Sequence, residues 1–260
     1  MESVKAAGGK ADIGSVKSAR RVMQVLEYVA EVRQASFVDI VRETQIPNSS
    51  AHHLLVTIVE GGFLEYDESD RRYRLGPRLW AVAQAYDRDD DLASLALPVM
   101  RTLVDEVGET TQLAALEGRH NVYLAVVDSP HPMRLASAIG RRLPAHATGL
   151  GKTLLAGLPD AEIARRLGGV TLERFTDTTL ADLPALMTEI ELVRARGYGE
   201  DNEEFVIGCR CVARPVRDPR GQTVAAMSVT VPTPRLTASL LERIHAGLVV
   251  AVANLERRLP

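Results

Sequence analysis

Residues 36 to 62 read SFVDIVRETQIPNSSAHHLLVTIVEGG, and this stretch decides the fold of the first part of the chain. Ser36-Phe37-Val38-Asp39 has the form of a capping box: the serine oxygen accepts from the amide three residues on, while Asp39 reaches back to the amide of Ser36. A short helix should open here and run to about Thr44. Gln45-Ile46-Pro47 makes a tight connection, because proline disfavours helical geometry in the residue before it. Asn48 is the expected N-cap of the next helix. On that helix Ala51, Leu54, Leu55, Ile58 and Val59 gather on one side, whereas Ser49, Ser50, His52, His53 and Thr57 fall on the other. Gly61-Gly62 ends it.

Upstream, Val16, Ala19, Val22, Met23, Leu26, Val29 and Ala30 recur at helical spacing through about Val32, which predicts one amphipathic helix. Residues 1–14 are small and polar, the composition of a loose tail. Downstream, Phe63-Leu64-Glu65-Tyr66, a polar turn from Asp67 to Asp70, and Arg71-Arg72-Tyr73-Arg74-Leu75 predict a β-hairpin with a basic returning strand, closed by Gly76-Pro77. Three short helices followed by a two-stranded wing form a winged helix-turn-helix over residues 15–77. Such a head lays its third helix in the major groove of double-stranded DNA while the wing touches backbone or minor groove. Ser49, Ser50, His52, His53 and Thr57 are therefore candidate base or phosphate contacts. Arg71, Arg72 and Arg74 are candidate phosphate contacts on the wing, and Lys17, Arg20 and Arg21 add charge at the first helix. A solvated helix face is the plain alternative for each. Charge does not favour nucleic acid: residues 1–77 hold ten Lys or Arg against eleven Asp or Glu, and the whole chain carries −3.

The chain has 260 residues, 46% hydrophobic and 25% charged, which suits two ordinary globular domains. The first ten residues carry no apolar core of signal-peptide length, and no later run approaches the roughly 20 apolar residues of a membrane span. A cytoplasmic protein with no membrane partner is expected. Cys209 and Cys211 are the only cysteines and lie two apart on one expected strand. Their side chains then share a direction, and a mutual disulfide would be strained. With no His at ligand spacing they do not close a zinc shell, so neither metal nor cofactor is expected.

Residues 78–91 read as a highly charged linker helix, and residues 92–260 as a second domain. Within it the pattern predicts a helix over Leu92 to Val107 and strands over Thr111 to Leu116, Asn121 to Val127 and Leu135 to Ile139. Helices follow at about Gly149 to Gly157, Asp160 to Leu167 and Asp182 to Arg196, then strands near Cys209 to Val216 and Thr223 to Val231 and a long helix from Thr237 to Leu259. Asp218-Pro219-Arg220-Gly221 suits the tight turn between the last two strands. Strand pairs joined by such turns imply an antiparallel sheet with helices on its faces, an α+β domain.

Gly149-Leu150-Gly151-Lys152-Thr153 invites comparison with a P-loop. That motif needs glycine five residues before Gly151, where His146 stands, and a buried strand ahead of it, where Arg141-Arg142-Leu143-Pro144 stands, so nucleotide hydrolysis is rejected. Two readings remain: a helix start whose glycines merely pack closely, or free amides of Gly149 and Leu150 that accept the carboxylate of a small metabolite. In the strand from Thr223 to Val231, Ala225, Met227, Val229 and Val231 form an apolar core face. Val224, Ala226, Ser228 and Thr230 form the other, small and increasingly polar, with room for a ligand.

Several of these stretches together resemble the IclR family of bacterial transcriptional regulators, from Ser15 to the end of the chain. The head shows Ile46-Pro-Asn-Ser-Ser-Ala-His-His-Leu-Leu, Gly62-Phe-Leu and Tyr73-Arg-Leu-Gly. The larger domain shows Pro144-Ala-His-Ala-Thr-Gly-Leu-Gly-Lys-Thr-Leu-Leu-Ala, Arg196-Gly-Tyr-Gly-Glu-Asp-Asn-Glu-Glu-Phe and Gly208-Cys-Arg-Cys-Val-Ala-Arg-Pro-Val-Arg-Asp. The resemblance implies a GAF-like effector domain, a dimer or dimer of dimers, and repression or activation of nearby operons. It also implies organic-acid binding at Gly149, Leu150, Asp201, Cys211, Ser228 and Thr230. Asp201 would accept from a ligand hydroxyl, Ser228 and Thr230 would donate to acidic oxygens, and Leu113, Leu135 and Ile139 would line an apolar wall. Two departures stand out. His53 occupies a position where the family usually has arginine and lacks the guanidinium fork for guanine. Leu150 is bulkier than the small residue often found there and narrows the pocket.

Three functional classes follow. The first is a regulator whose effector shifts operator affinity. The second is an enzyme, or a redox sensor, built on Cys211 with His146, Asp201 and Glu204. The third is a DNA-binding protein whose larger domain only dimerises, its pocket filled by its own side chains.

Overall fold

In the computed structural model, residues 16–84, 92–135 and 137–260 are described; the expected tail over 1–14 and the end of the expected linker lie outside them. The chain divides into two compact units, Met1–Arg88 and Asp89–Pro260.

In the first unit α1 (Lys17–Val32), β1 (Ala35–Ser36), α2 (Phe37–Thr44) and α3 (Asn48–Glu60) precede a hairpin of β2 (Leu64–Asp67) and β3 (Arg72–Leu75), and α4 (Pro77–Gln84) follows. The capping box forms as read: the Asp39 amide donates to Ser36 Oγ and the Ser36 amide to Asp39 Oδ2, at 3.2 and 3.3 Å. A cap of this kind contributes about 1 kcal/mol to a short helix. Asn48 is not the N-cap. Pro47, held extended at φ −55° and ψ 139°, takes that position and Asn48 is the first helical residue. Val25, Val29, Ile40, Ala51, Leu55, Ile58 and Leu64 close the core between the helices and the hairpin. A third strand escapes the sequence: Ala35 and Ser36 pair with Tyr73 and Arg72 and fasten the wing to the start of α2.

The second unit is built on a six-stranded antiparallel sheet. Its elements are α5 (Leu92–Val107), β4 (Thr110–Glu117), β5 (His120–Val127), β6 (Arg142–Pro144), α6 (Gly149–Ala156), α7 (Asp160–Leu167), α8 (Leu183–Arg196), β7 (Gly199–Asn202), β8 (Cys209–Arg217), β9 (Thr223–Pro232) and α9 (Ala238–Glu256). Strand order is β6-β5-β4-β9-β8-β7. One face carries α5 and α9: Met100, Leu103, Ile244, Leu248 and Leu255 pack on Leu113, Val212, Met227 and Val229. Each such side chain taken out of water contributes about 2 kcal/mol. The other face carries α6, with Leu150 and Leu154 over Ala114, Tyr123, Ala213 and Ala226, and α7 and α8 behind it. By length and composition α9 alone among the described helices could cross a membrane, yet its inner face, Ile244, Leu248, Ala251, Val252 and Leu255, belongs to this core.

The described residues of 135–139 form no strand. Leu135 is half-buried without regular structure, and Ile139 and Gly140 form a turn with Gly140 at φ +82°. The chain instead pairs three residues later, through Arg142–Pro144, whose Leu143 alone points inward. A short edge strand flanked by charge is poorly visible in sequence.

Candidate functional site

On the first unit, α3 exposes Ser49, His52, His53 and Thr57, with Ser50 half-buried. The two imidazoles stand edge to face, 5.9 Å between centroids, and the Thr57 hydroxyl donates to the carbonyl of His53 at 2.9 Å. On the wing Arg71 is exposed at φ +56°, in the turn. Arg74, also exposed, is ion-paired within the hairpin, with Asp70 at 2.7 Å and Asp67 at 3.3 Å. Arg72 is half-buried. Of the three wing arginines, Arg71 is the one with neither an ion pair nor partial burial among the described residues.

On the second unit, the register of β7, β8, β9 and β4 aligns Asp201, Cys211, Thr230 and Thr110 in one row and Gly199, Ala213, Ser228 and Gln112 in the next. The first turn of α6 rests on these rows. A Cβ added at Gly149 would stand 3.2 Å from the Asp201 amide nitrogen and 3.3 Å from Cys211 Sγ. Thr148 caps the helix, accepting from the Gly151 amide at 3.0 Å and donating to Asn121 Oδ1 at 2.8 Å. The amides of Gly149 and Leu150 therefore stand at the helix end with no intrahelical acceptor. Asn121 is fully buried, and its Nδ2 has no hydrogen-bond partner. On α6 itself, Lys152 is 1% exposed and donates to Glu204 Oε1 at 2.5 Å, with Glu189 3.9 Å away. That ion pair pins the start of the β7–β8 connection, whose Glu204 amide donates to Asp201 on β7.

Residues 18–68 match the IclR helix-turn-helix domain, and residues 84–256 match the C-terminal domain of the bacterial transcriptional regulator IclR. The chain belongs to the IclR family. It is 32% identical over 247 residues to the transcriptional regulator BhcR of Paracoccus denitrificans, covering 95% of this chain and 88% of that one. To the transcriptional repressor IclR of Escherichia coli it is 30% identical, covering 92% and 88%. Among solved structures, a transcriptional regulator from Rhodococcus sp. RHA1 superposes with a TM-score of 0.79 at 30% identity, covering 94% of this chain and 98% of that one. An IclR homolog from Microbacterium hydrocarbonoxydans in complex with 4-hydroxybenzoate gives 0.78 at 28%, covering 93% and 100%. IclR members are transcription regulators, not enzymes, and the side chains that an enzyme would need are otherwise engaged. His146 Nε2 bonds the carbonyl of Glu173 at 2.9 Å, and Glu204 is held by Lys152. Burial, with Asp201 nearby, pushes the Cys211 thiol up to about 12, so it stays protonated and unreactive near neutrality.

Against the IclR-derived expectations, Gly149, Leu150, Asp201, Cys211, Ser228 and Thr230 are brought together on the α6 face, but the apolar wall is not. Leu113 pairs with Met227 and faces α5 and α9, on the opposite side of the sheet. Ile139 is 70% exposed and Leu135 only half-buried, both in the irregular segment between β5 and β6. The large apolar side chains on the α6 face are instead Tyr123, Leu150 and Leu154. Tyr123 escaped the sequence reading because the ladder shifts between Leu113 and Ala114: Leu113 faces Ala125 while Ala114 faces Tyr123, leaving Leu124 as a bulge. Gln112 was also missed. It is fully buried, with Oε1 accepting from Ser228 Oγ at 2.9 Å and Thr230 Oγ1 at 3.0 Å. A lone glutamine in the apolar run TTQLAAL, paired with Ser228, was the available signal.

Asp201 is 9% exposed; burial pushes its carboxyl up to about 7, against the Glu204 amide that donates to Oδ1 at 2.7 Å. The unfolded chain releases this proton near the ordinary value of 3.8, the folded chain near 7. The folded state binds more protons between those values, so Asp201 costs stability progressively as pH rises through that window. Asp201→Asn should therefore melt several degrees higher than the parent at pH 8, with the difference vanishing at pH 4 in paired thermal melts. An Asp201→Asn variant no more stable at pH 8 than at pH 4, relative to the parent, would show that this carboxyl ionises freely.

Proposed function

We propose that this protein is a transcription regulator whose affinity for operator DNA is set by a small carboxylate metabolite bound between α6 and the sheet. The assignment of roles follows: residues 15–77 read DNA, residues 78–91 link, and residues 92–260 bind effector and oligomerise as a dimer or dimer of dimers. The observation that carries the reading is the convergence of the Gly149 and Leu150 amides, the Ser228 and Thr230 hydroxyls and Asp201 on one buried face. Helix-end amides and hydroxyls together favour a carboxylate. The 4-hydroxybenzoate of the Microbacterium homolog supports an organic acid here. Leu150 is 2% exposed and packs with Tyr123 and Leu154, which favours a compact acid. Asp201, neutral below about pH 7, offers the acid a donor, and its ionisation above that pH repels it.

Ser49, Ser50, His52, His53 and Thr57 are assigned to the groove and Arg71 to the backbone, with Arg72 and Arg74 shaping the wing. A gel shift with the DNA flanking its own gene, at fixed salt, tests both halves. One small acid should alter the shift at least tenfold for the parent, and Ser228→Ala should blunt that response while leaving DNA affinity intact; a tenfold change corresponds to about 1.4 kcal/mol of coupling. A specific shift indifferent to every acid would leave the dimerisation-only reading, and no specific shift would remove the regulator assignment.

A further inference from the structure

The hydroxyls of Ser228 and Thr230 each carry one proton, and both protons are spent on the same acceptor, Gln112 Oε1, at 2.9 and 3.0 Å. A carboxylate cannot receive hydrogen bonds from hydroxyls whose protons point elsewhere. The other end of the same amide, Nε2, donates to Ser137 Oγ at 3.2 Å, in the segment between β5 and β6. All four groups can reverse their roles together. A primary amide rotated by half a turn presents N–H to the two hydroxyl oxygens and C=O to the serine, whose own hydroxyl can donate. Both arrangements satisfy the buried glutamine, which no carboxylate or hydrocarbon at this position could do.

Resting on the effector reading above, we propose that Gln112 determines the charge selectivity of the site by turning its side-chain amide over: in one orientation it holds the Ser228 and Thr230 protons, in the other it releases them to an anionic ligand. In the first orientation the hydroxyls offer only lone pairs and suit a ligand N–H. In the second they offer two donors and suit a carboxylate. The Cys211 thiol stands in register with Thr230 and, being protonated, adds no competing charge. Glutamate at 112 would be locked in the first orientation, since a carboxylate accepts but never donates, and its charge would oppose an acidic ligand.

The test is calorimetric titration of the full chain with monocarboxylates from acetate to 4-hydroxybenzoate, each paired with its primary amide. The parent should bind one acid more tightly than its amide. Gln112→Glu should weaken that acid by about a hundredfold while changing the amide by about threefold at most, as expected when like charges are opposed in a buried site. Gln112→Met removes the amide without adding charge and should weaken the acid by less than about tenfold, the scale of one lost neutral hydrogen bond. Equal losses in the two variants would make Gln112 a packing residue and overturn the proposal, as would parental acid binding in the glutamate variant. If the parent binds none of the acids while shifting operator DNA specifically, the effector reading itself falls and takes this one with it.

Discussion

Replacing Lys152 by methionine is expected to destabilise the larger unit by about 3–5 kcal/mol, the range measured when one partner of a buried ion pair is removed. The reason lies in Glu204. Its Oε1 accepts from Lys152 at 2.5 Å and from the Asn202 amide at 3.3 Å, while its Oε2 is buried with no partner. Glu189 does not need the lysine as much, because Arg196 donates to it at 2.7 Å. Without Lys152, a carboxylate that is 8% exposed is left uncompensated. In a thermal melt this corresponds to a fall of roughly 10 °C for a unit of this size. The double variant Lys152→Met, Glu204→Leu should recover most of the loss, since removing both charges leaves nothing unpaired. A single variant as stable as the parent would mean that water reaches Glu204. The Glu204 amide also holds Asp201, so on the reading proposed above effector binding should fail in the single variant before the fold does.

Gly151→Ala should be nearly as damaging, for a steric reason. A Cβ on Gly151 would stand 2.2 Å from the Ala145 carbonyl oxygen and 2.3 Å from its Cα, and both are backbone atoms that no rotamer change can move. To admit it, α6 must lift from residues 145–147, and overpacking of this kind costs about 1–3 kcal/mol or more. Lifting α6 also withdraws the Thr148 cap and the Gly149 and Leu150 amides from the sheet. Gly149→Ala, with contacts no closer than 3.2 Å, should cost less stability. Urea unfolding of the two variants side by side checks the order; an alanine at 151 tolerated as well as one at 149 would show that residues 145–147 yield. The close-packing reading of the glycine motif thus holds for Gly151 whatever Gly149 binds.

Most of the scaffold was legible because its signals were local. The capping box at Ser36, the Gly61-Gly62 stop and the Asp218–Gly221 turn each act within a few residues, and the alternation of β9 assigned its two faces correctly. What failed depended on partners distant in sequence. Arg142–Pro144 becomes a strand only because β5 offers an edge, and Gly199–Asn202 only because β8 does. Leu113 was expected on the pocket wall; its facing could be settled only by its register with Met227. Tyr123 reaches the site through a bulge, which breaks the period of two on which strand reading rests. The polar and glycine positions expected at the site lie on one face of the sheet, whereas the apolar wall expected at Leu113, Leu135 and Ile139 does not.

The two faces of β9 divide labour along a single strand. Ala225, Met227, Val229 and Val231 hold the sheet to α5 and α9, while Ala226, Ser228 and Thr230 look toward α6. On the reading proposed above, exchanging every second residue here alters the ligand-facing side without touching the one that holds α5 and α9, whereas inserting or deleting one residue would swap the two roles wholesale. The two faces of this strand are open to separate point substitution and closed to one-residue slips.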